Sequence, residues 1–138
     1  MKKKLKCILL VDDDNDCNFF HKLLINQLEC AEQVFFAANG IEALDFLKSC
    51  SENKYPKPEI IFLDINMPKM NGWEFLEEYH KLKVSEKAKM VLIMLTTSLN
   101  PDDREKALNS LEVNGFLNKY LDKETLGNVL KEKFPEYY

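Results

Sequence analysis

Glycine is scarce in this sequence, with four among 138 residues. Neither Gly-x-x-x-x-Gly-Lys-Ser/Thr nor Gly-x-Gly-x-x-Gly occurs, so the glycine loops that cradle nucleotide phosphates are missing. The four cysteines, Cys7, Cys17, Cys30 and Cys50, include no Cys-x-x-Cys pair, and no histidine stands at zinc-site spacing from them. That pattern excludes a zinc module and reads as reduced thiols in a cytoplasmic protein. No apolar run approaches the length that spans a bilayer. Lys2-Lys3-Lys4 imitates the start of a signal peptide. The apolar run behind it is short and ends in Asp12-Asp13-Asp14, so the basic start is expected to be a solvated tail. Positive charge is not in excess either: the formal net charge is −4, which argues against non-specific nucleic-acid binding. A chain of 138 residues suits one domain, residues 1–138, large enough to bury a core without disulfides or a structural metal.

What the sequence does have is apolar runs that end in carboxylates. Ile61-Phe62-Leu63 runs straight into Asp64, and Ile65-Asn66-Met67-Pro68-Lys69-Met70-Asn71-Gly72 follows as a loop. Ile8-Leu9-Leu10-Val11 runs into Asp12-Asp13-Asp14. Short apolar runs of this kind read as buried strands. In open α/β sheets the carboxyl ends of such strands border the ligand crevice. Several carboxylates brought together there repel one another unless a cation or protons neutralise them. Oxygen-only ligands suit a hard ion such as Mg²⁺.

The whole chain alternates strand and helix. Strands are expected at residues 6–11, 33–37, 59–63, 90–95 and 115–118. Helices are expected at 15–28, from Ile41 through Leu47, at 72–83, from Asn100 to about Leu111, and at 123–133. In the first helix Phe19, Phe20, Leu23, Leu24 and Leu28 recur at helical spacing. Strand–helix alternation implies a parallel sheet with helices on both faces. Five such units with right-handed crossovers favour an α/β flavodoxin-like (βα)5 doubly wound sandwich, strand order 2-1-3-4-5.

That topology puts Asp12, Asp13 and Asp14, then Asp64, Thr96 and Lys119, at strand carboxyl ends. Acids, a hydroxyl and an ammonium on one edge form a set suited to phosphoryl transfer. A carboxylate can itself be the nucleophile. The chain here resembles the receiver domain of two-component response regulators. The resemblance runs from Ile8-Leu9-Leu10-Val11-Asp12-Asp13-Asp14 to Phe116-Leu117-Asn118-Lys119. It implies that Asp64 accepts a phosphoryl group from a sensor histidine kinase or phosphotransfer protein. It implies that Asp13, Asp64 and the backbone carbonyl of Asn66 ligate Mg²⁺, with Asp12 supporting the ion through water. Thr96 and Lys119 would hold the phosphoryl group, and Phe116 matches the aromatic position that rotates on activation. The implied protein is not an enzyme. It is a single-domain response regulator without an output domain that switches protein–protein interactions, as a monomer or a phosphorylation-dependent dimer, with no nucleic-acid or membrane partner.

The sequence departs from the family pattern in three places. Tyr120 stands where the family usually has proline after the lysine. Leu111-Glu112-Val113-Asn114 replaces the usual Gly-Ala before the last strand, and the polar loop at 49–57 is long. Two rival functions follow from other classes. One is a pseudo-receiver that binds partners without phosphorylation; the intact Asp13, Asp64, Thr96 and Lys119 oppose it. The other is a Mg²⁺-dependent phosphohydrolase with Asp64 as nucleophile. Such enzymes place a general acid two residues on, and Asn66 cannot serve. Asp14 is expected to cap the first helix. Trp73 reads as a packing residue, Phe116 as a core aromatic, and His21 and His80 as helix-surface residues.

Overall fold

The computed structural model describes residues 4–49, 54–83, 86–87, 91–97 and 100–135. Cys50, Met90, Ser98 and the basic Lys2-Lys3 lie outside them. Ten elements alternate along the chain: β1 (Leu5–Val11), α1 (Asn15–Gln27), β2 (Ala31–Ala37), α2 (Gly40–Lys48), β3 (Ile60–Leu63), α3 (Gly72–His80), β4 (Val91–Thr96), α4 (Pro101–Leu108), β5 (Gly115–Asn118) and α5 (Lys123–Lys133). The five strands form one parallel sheet in the order β2-β1-β3-β4-β5. The expected flavodoxin-like architecture is the one found.

Alternation along the central strands builds two cores. Ile8, Leu10, Phe62, Ile93 and Leu95 meet Leu24 and Ile25 of α1 and Leu126, Val129 and Leu130 of α5. Leu9, Val11, Ile61, Leu63 and Met94 meet α2, α3 and Ala107 of α4 on the opposite face. Burial on both faces explains why β1 and β3 read as unbroken apolar runs. Among the described residues no helix is long and apolar enough to cross a membrane.

Element ends differ from the pattern-based expectation where apolar residues find no core. α4 ends at Leu108 rather than near Leu111, and Leu111 is 93% exposed. α3 ends at His80, where Lys81 and Leu82 close the turn onto Glu78 and Tyr79 carbonyls. β2 begins two residues early because Ala31 pairs with Leu5. The polar Glu32-Gln33 beginning of this edge strand disguised it.

The larger correction is the rotation of α1. Phe19 and Phe20 are 60% and 49% exposed, and Leu23 is exposed as well. The buried stripe is Cys17, Asn18, His21, Leu24 and Ile25. Its spacing is helical. Two polar members concealed it, and His21 is a buried residue rather than a surface one.

Two glycines lie where backbones and side chains crowd. A Cβ on Gly72 would meet the Asp64 carbonyl oxygen at 2.5 Å and Ile65 Cα at 2.9 Å. The Gly72 N–H donates to Ile65 O at 2.7 Å, so α3 starts pressed against the strand end that carries Asp64. At Gly40 the obstacle is the Met70 side chain, at 2.6 Å, which can turn aside. Gly72→Ala is therefore expected to cost about 1–3 kcal/mol. Gly40→Ala should cost under about 1 kcal/mol, because alanine also favours the helix. Urea midpoints check the contrast; equal midpoints would mean that the β3–α3 turn yields freely.

Candidate functional site

The site is built at the carboxyl ends of β1, β3, β4 and β5. The Asp12 N–H extends the ladder by donating to Ala37 O at 2.9 Å, and the Asp64 N–H does the same to Val11 O. Both aspartates therefore leave their strands in fixed directions. Asp14 turns the other way. Its carboxylate accepts from the Asp16 and Cys17 N–H groups and caps α1, as expected. Asp12 is held twice more. Its Oδ1 accepts from the Asp14 N–H at 3.0 Å, and its carbonyl accepts from the buried Asn18 Nδ2 at 2.9 Å.

Carboxylate oxygens of Asp12, Asp13 and Asp64 lie within 4.8 Å of one another. Asp12 and Asp64 are buried, whereas Asp13 is exposed. Among the described residues one cation answers them: Lys119 Nζ lies 2.6 Å from Asp12 Oδ2 and 3.4 Å from Asp64 Oδ2. The lysine thus sits nearer Asp12 than Asp64. Burial, then the charge of Asp12, pushes the Asp64 carboxyl up to about 6, against the opposing pull of Lys119. Burial alone would lower the Lys119 ammonium; its hydrogen bond to Asp12 and the charges of Asp64 and Asp12 outweigh that and raise it. Three carboxylates against one ammonium leave the cluster short of positive charge. Its all-oxygen donor set suits a hard divalent ion such as Mg²⁺.

Thr96 ends β4, fully buried, and its carbonyl accepts the Lys119 N–H at 2.8 Å. Strand alternation places Thr96 on the same sheet face as Met94. Phe116 pairs with Met94 in register and packs, half-buried, against that face's core. Asn66 is exposed in the loop two residues beyond Asp64. The structure thus gathers Asp12, Asp13, Asp64 and Lys119 at one point. Thr96 adjoins them through the Lys119 backbone, and Phe116 stands further back along β5.

Residues that composition did not flag surround this point. His21 is 2% exposed; its Nε2 accepts the Leu121 N–H at 3.1 Å, and its Nδ1 lies 3.7 Å from Cys17 Sγ. Burial pulls the imidazole down to about 4, the charges of Asp12 and Lys119 acting in opposite directions. Burial, then Asp12, pushes the Cys17 thiol up to about 12, so it stays protonated. The Lys119–Tyr120 peptide is cis. The Tyr120 ring faces His21 and Phe20 at centroid distances of 6.0 and 6.2 Å. A groove of about 490 Å³ opens beside it, lined by Asp16, Cys17, Phe20, Tyr120 and Leu121 among others. A spacing of 17, 18, 21, 24 and 25 was the available signal for this layer.

Comparison with known proteins gives one consistent picture. The family model described as the response regulator receiver domain matches residues 8–131. A probable methanogenesis regulatory protein, FilR2, of Methanothrix harundinacea is 30% identical over 132 residues, covering 95% of this chain and 82% of that protein. The crystal structure of a two-component response regulator from Cytophaga hutchinsonii superposes with a TM-score of 0.83 at 28% identity, covering 96% of this chain and 99% of the other. The phosphorylated cyanobacterial phytochrome response regulator RcpA gives a TM-score of 0.70 at 27% identity, covering 96% and 94%.

Proposed function

We propose a function from one premise: this chain belongs to the response regulator receiver domain family. Asp64 is the phosphoacceptor. One of its carboxylate oxygens attacks the phosphorus of a phosphohistidine on a sensor histidine kinase or phosphotransfer protein. The P–N bond breaks, the imidazole leaves and takes up a proton, and an aspartyl phosphate remains on the chain. The observation that carries this reading is the cluster itself, with three carboxylates within 4.8 Å of one another and Lys119 between two of them.

Each residue then has a task set by its chemistry. Asp64 needs no base, because a carboxyl held at about 6 is mostly ionised at neutral pH. Asp13, Asp64 and the Asn66 carbonyl would hold Mg²⁺, with Asp12 supporting through water; the ion would neutralise phosphate oxygens. Lys119 pairs with the transferred group's charge, and the Thr96 hydroxyl donates to it. Phosphorylation adds charge and strong acceptors. Drawing Thr96 toward them opens space on the face it shares with Phe116, whose inward turn would alter the surface offered to a partner protein. The role is that of a switch, not of an enzyme turning over a substrate.

The test is intact mass after incubation with Mg²⁺ and a small acyl-phosphate donor. Wild type should gain one phosphoryl group, while Asp64→Asn and wild type in EDTA should gain none. Equal uptake by Asp64→Asn would refute the assignment.

A further inference from the structure

We propose that His21 is a positioning residue for Lys119, clamping the backbone just beyond that lysine through the Leu121 N–H. The kinetic consequence rests on the reading of Asp64 as phosphoacceptor; the clamp does not.

The loop between β5 and α5 is tied on both sides of the Lys119–Tyr120 pair. On one side the Lys119 N–H donates to Thr96 O at 2.8 Å. On the other the Leu121 N–H donates to His21 Nε2 at 3.1 Å. A lysine stem is long and flexible, so where the ammonium settles depends on where the backbone carries its Cα. Here the ammonium must lie within reach of both Asp12 and Asp64. The second tie is the unusual one, because it comes from a side chain one hundred residues away in sequence. Both Leu121 and His21 are buried, so no water can replace the bond if it breaks.

The clamp has a defined chemical state. An Nε2 that accepts from an amide carries no proton, so the neutral ring's proton sits on Nδ1. Nδ1 points at Cys17 Sγ, 3.7 Å away, and sulfur is a weak acceptor. The ring packs against both Phe20 and Tyr120, with centroids 5.8 and 6.0 Å from its own, and those two rings are 6.2 Å from each other. Tyr120 occupies the place where the family usually has proline, and its ring completes this triangle. Asn18, one turn before His21, holds the Asp12 carbonyl. One face of α1 therefore fixes both an acid of the site and the lysine that pairs with it.

Ordinary core packing would also bury a histidine, so the test compares an apolar replacement with one that restores the acceptor. In His21→Leu, phosphoryl uptake by Asp64 from an acyl phosphate should slow by at least about tenfold. Its Mg²⁺ affinity, read by calorimetry, should not fall, since no carboxylate has moved and an ammonium displaced from the cluster no longer opposes the ion. In His21→Gln, whose side-chain amide oxygen can accept the Leu121 N–H, uptake should recover to within about threefold of wild type. Acylation of the Lys119 amine by a small anhydride should be faster in His21→Leu than in wild type, and slowed again by Gln. Uptake and Lys119 labelling unchanged in His21→Leu overturn the proposal, as does a His21→Gln as impaired as His21→Leu. If wild type takes up no phosphoryl group, the functional reading falls and the labelling alone judges the clamp. If His21→Leu does not fold, hydrogen exchange in wild type decides. A slowly exchanging Leu121 amide with unprotonated Nε2 in the nitrogen spectrum supports the clamp; rapid exchange refutes it.

Discussion

Lys119→Met is expected to destabilise the protein by about 3 kcal/mol near neutral pH in the absence of divalent ions. The lysine side chain is 9% exposed, as buried as the carboxylates it touches. Removing it leaves the buried carboxylates of Asp12 and Asp64 facing one another with no cation between them, and Asp13 beside them at the exposed edge. Removing one partner of a buried ion pair is costly because the other charges remain. Methionine keeps most of the stem's volume, so the loss reports charge rather than packing.

Two further measurements separate this effect from an ordinary cavity. The Asp64 carboxyl is already raised to about 6 from an ordinary 3.8, even with Lys119 opposing the shift; without the lysine it rises further. A carboxyl raised in the fold binds its proton more tightly there than in the unfolded chain. Its contribution to stability is complete below the unfolded value and is lost as pH rises through the folded one. The Lys119→Met deficit should therefore be small at acid pH and grow to its full size above neutrality. Saturating Mg²⁺ should close most of the gap at neutral pH, because the cluster that lacks the ammonium binds the ion more tightly than wild type does and so gains more by mass action. Urea midpoints at two pH values, with and without Mg²⁺, give all three quantities. A deficit that ignores both pH and Mg²⁺ would show that the lysine acts through packing.

The acidic half of this site was legible because two physical rules coincide there. A strand buried on both faces must be apolar throughout, so β1 and β3 stand out, and the first charged residue after each marks the sheet's edge. Asp12, Asp13 and Asp64 are found that way, and Lys119 follows from β5. The same rule fails for α1. Its inward face carries Asn18 and His21, and its outward face carries Phe19, Phe20 and Leu23, so hydrophobicity alone turns the helix the wrong way. A polar side chain is accepted in a core when a specific partner awaits it. Those partners, the Asp12 carbonyl and the Leu121 N–H, are backbone groups whose positions exist only once the chain has folded. The end of α4 was missed for the opposite reason. Leu108 and Leu111 look like core positions, but among the described residues both are exposed.

The buried histidine makes a second large effect visible in acid. His21 falls from an ordinary 6.5 to about 4, burial being the main cause. The unfolded chain thus takes up a proton between about pH 6.5 and 4 that the folded chain refuses. Stability contributed by the neutral ring is complete above 6.5 and is lost as pH falls toward 4. The span corresponds to about 3 kcal/mol. Asp64 works in the opposite direction over nearly the same range, since its raised carboxyl gains a proton on folding. Wild type alone will therefore show a shallow pH dependence that conceals both groups. The difference between His21→Gln and wild type removes the Asp64 contribution common to the two. The variant should be no more stable than wild type near pH 7.5. It should gain on wild type steadily as pH falls, by about 3 kcal/mol at pH 4. Protonated His21 has no lone pair left for the Leu121 N–H, so the Leu121 amide should lose its exchange protection in wild type as pH falls through about 4, where the folded ring takes up its proton, while keeping it in His21→Gln. Parallel stability curves for the two proteins would mean that the ring stays neutral or charged alike in both states. The burial of His21 would then have no electrostatic consequence.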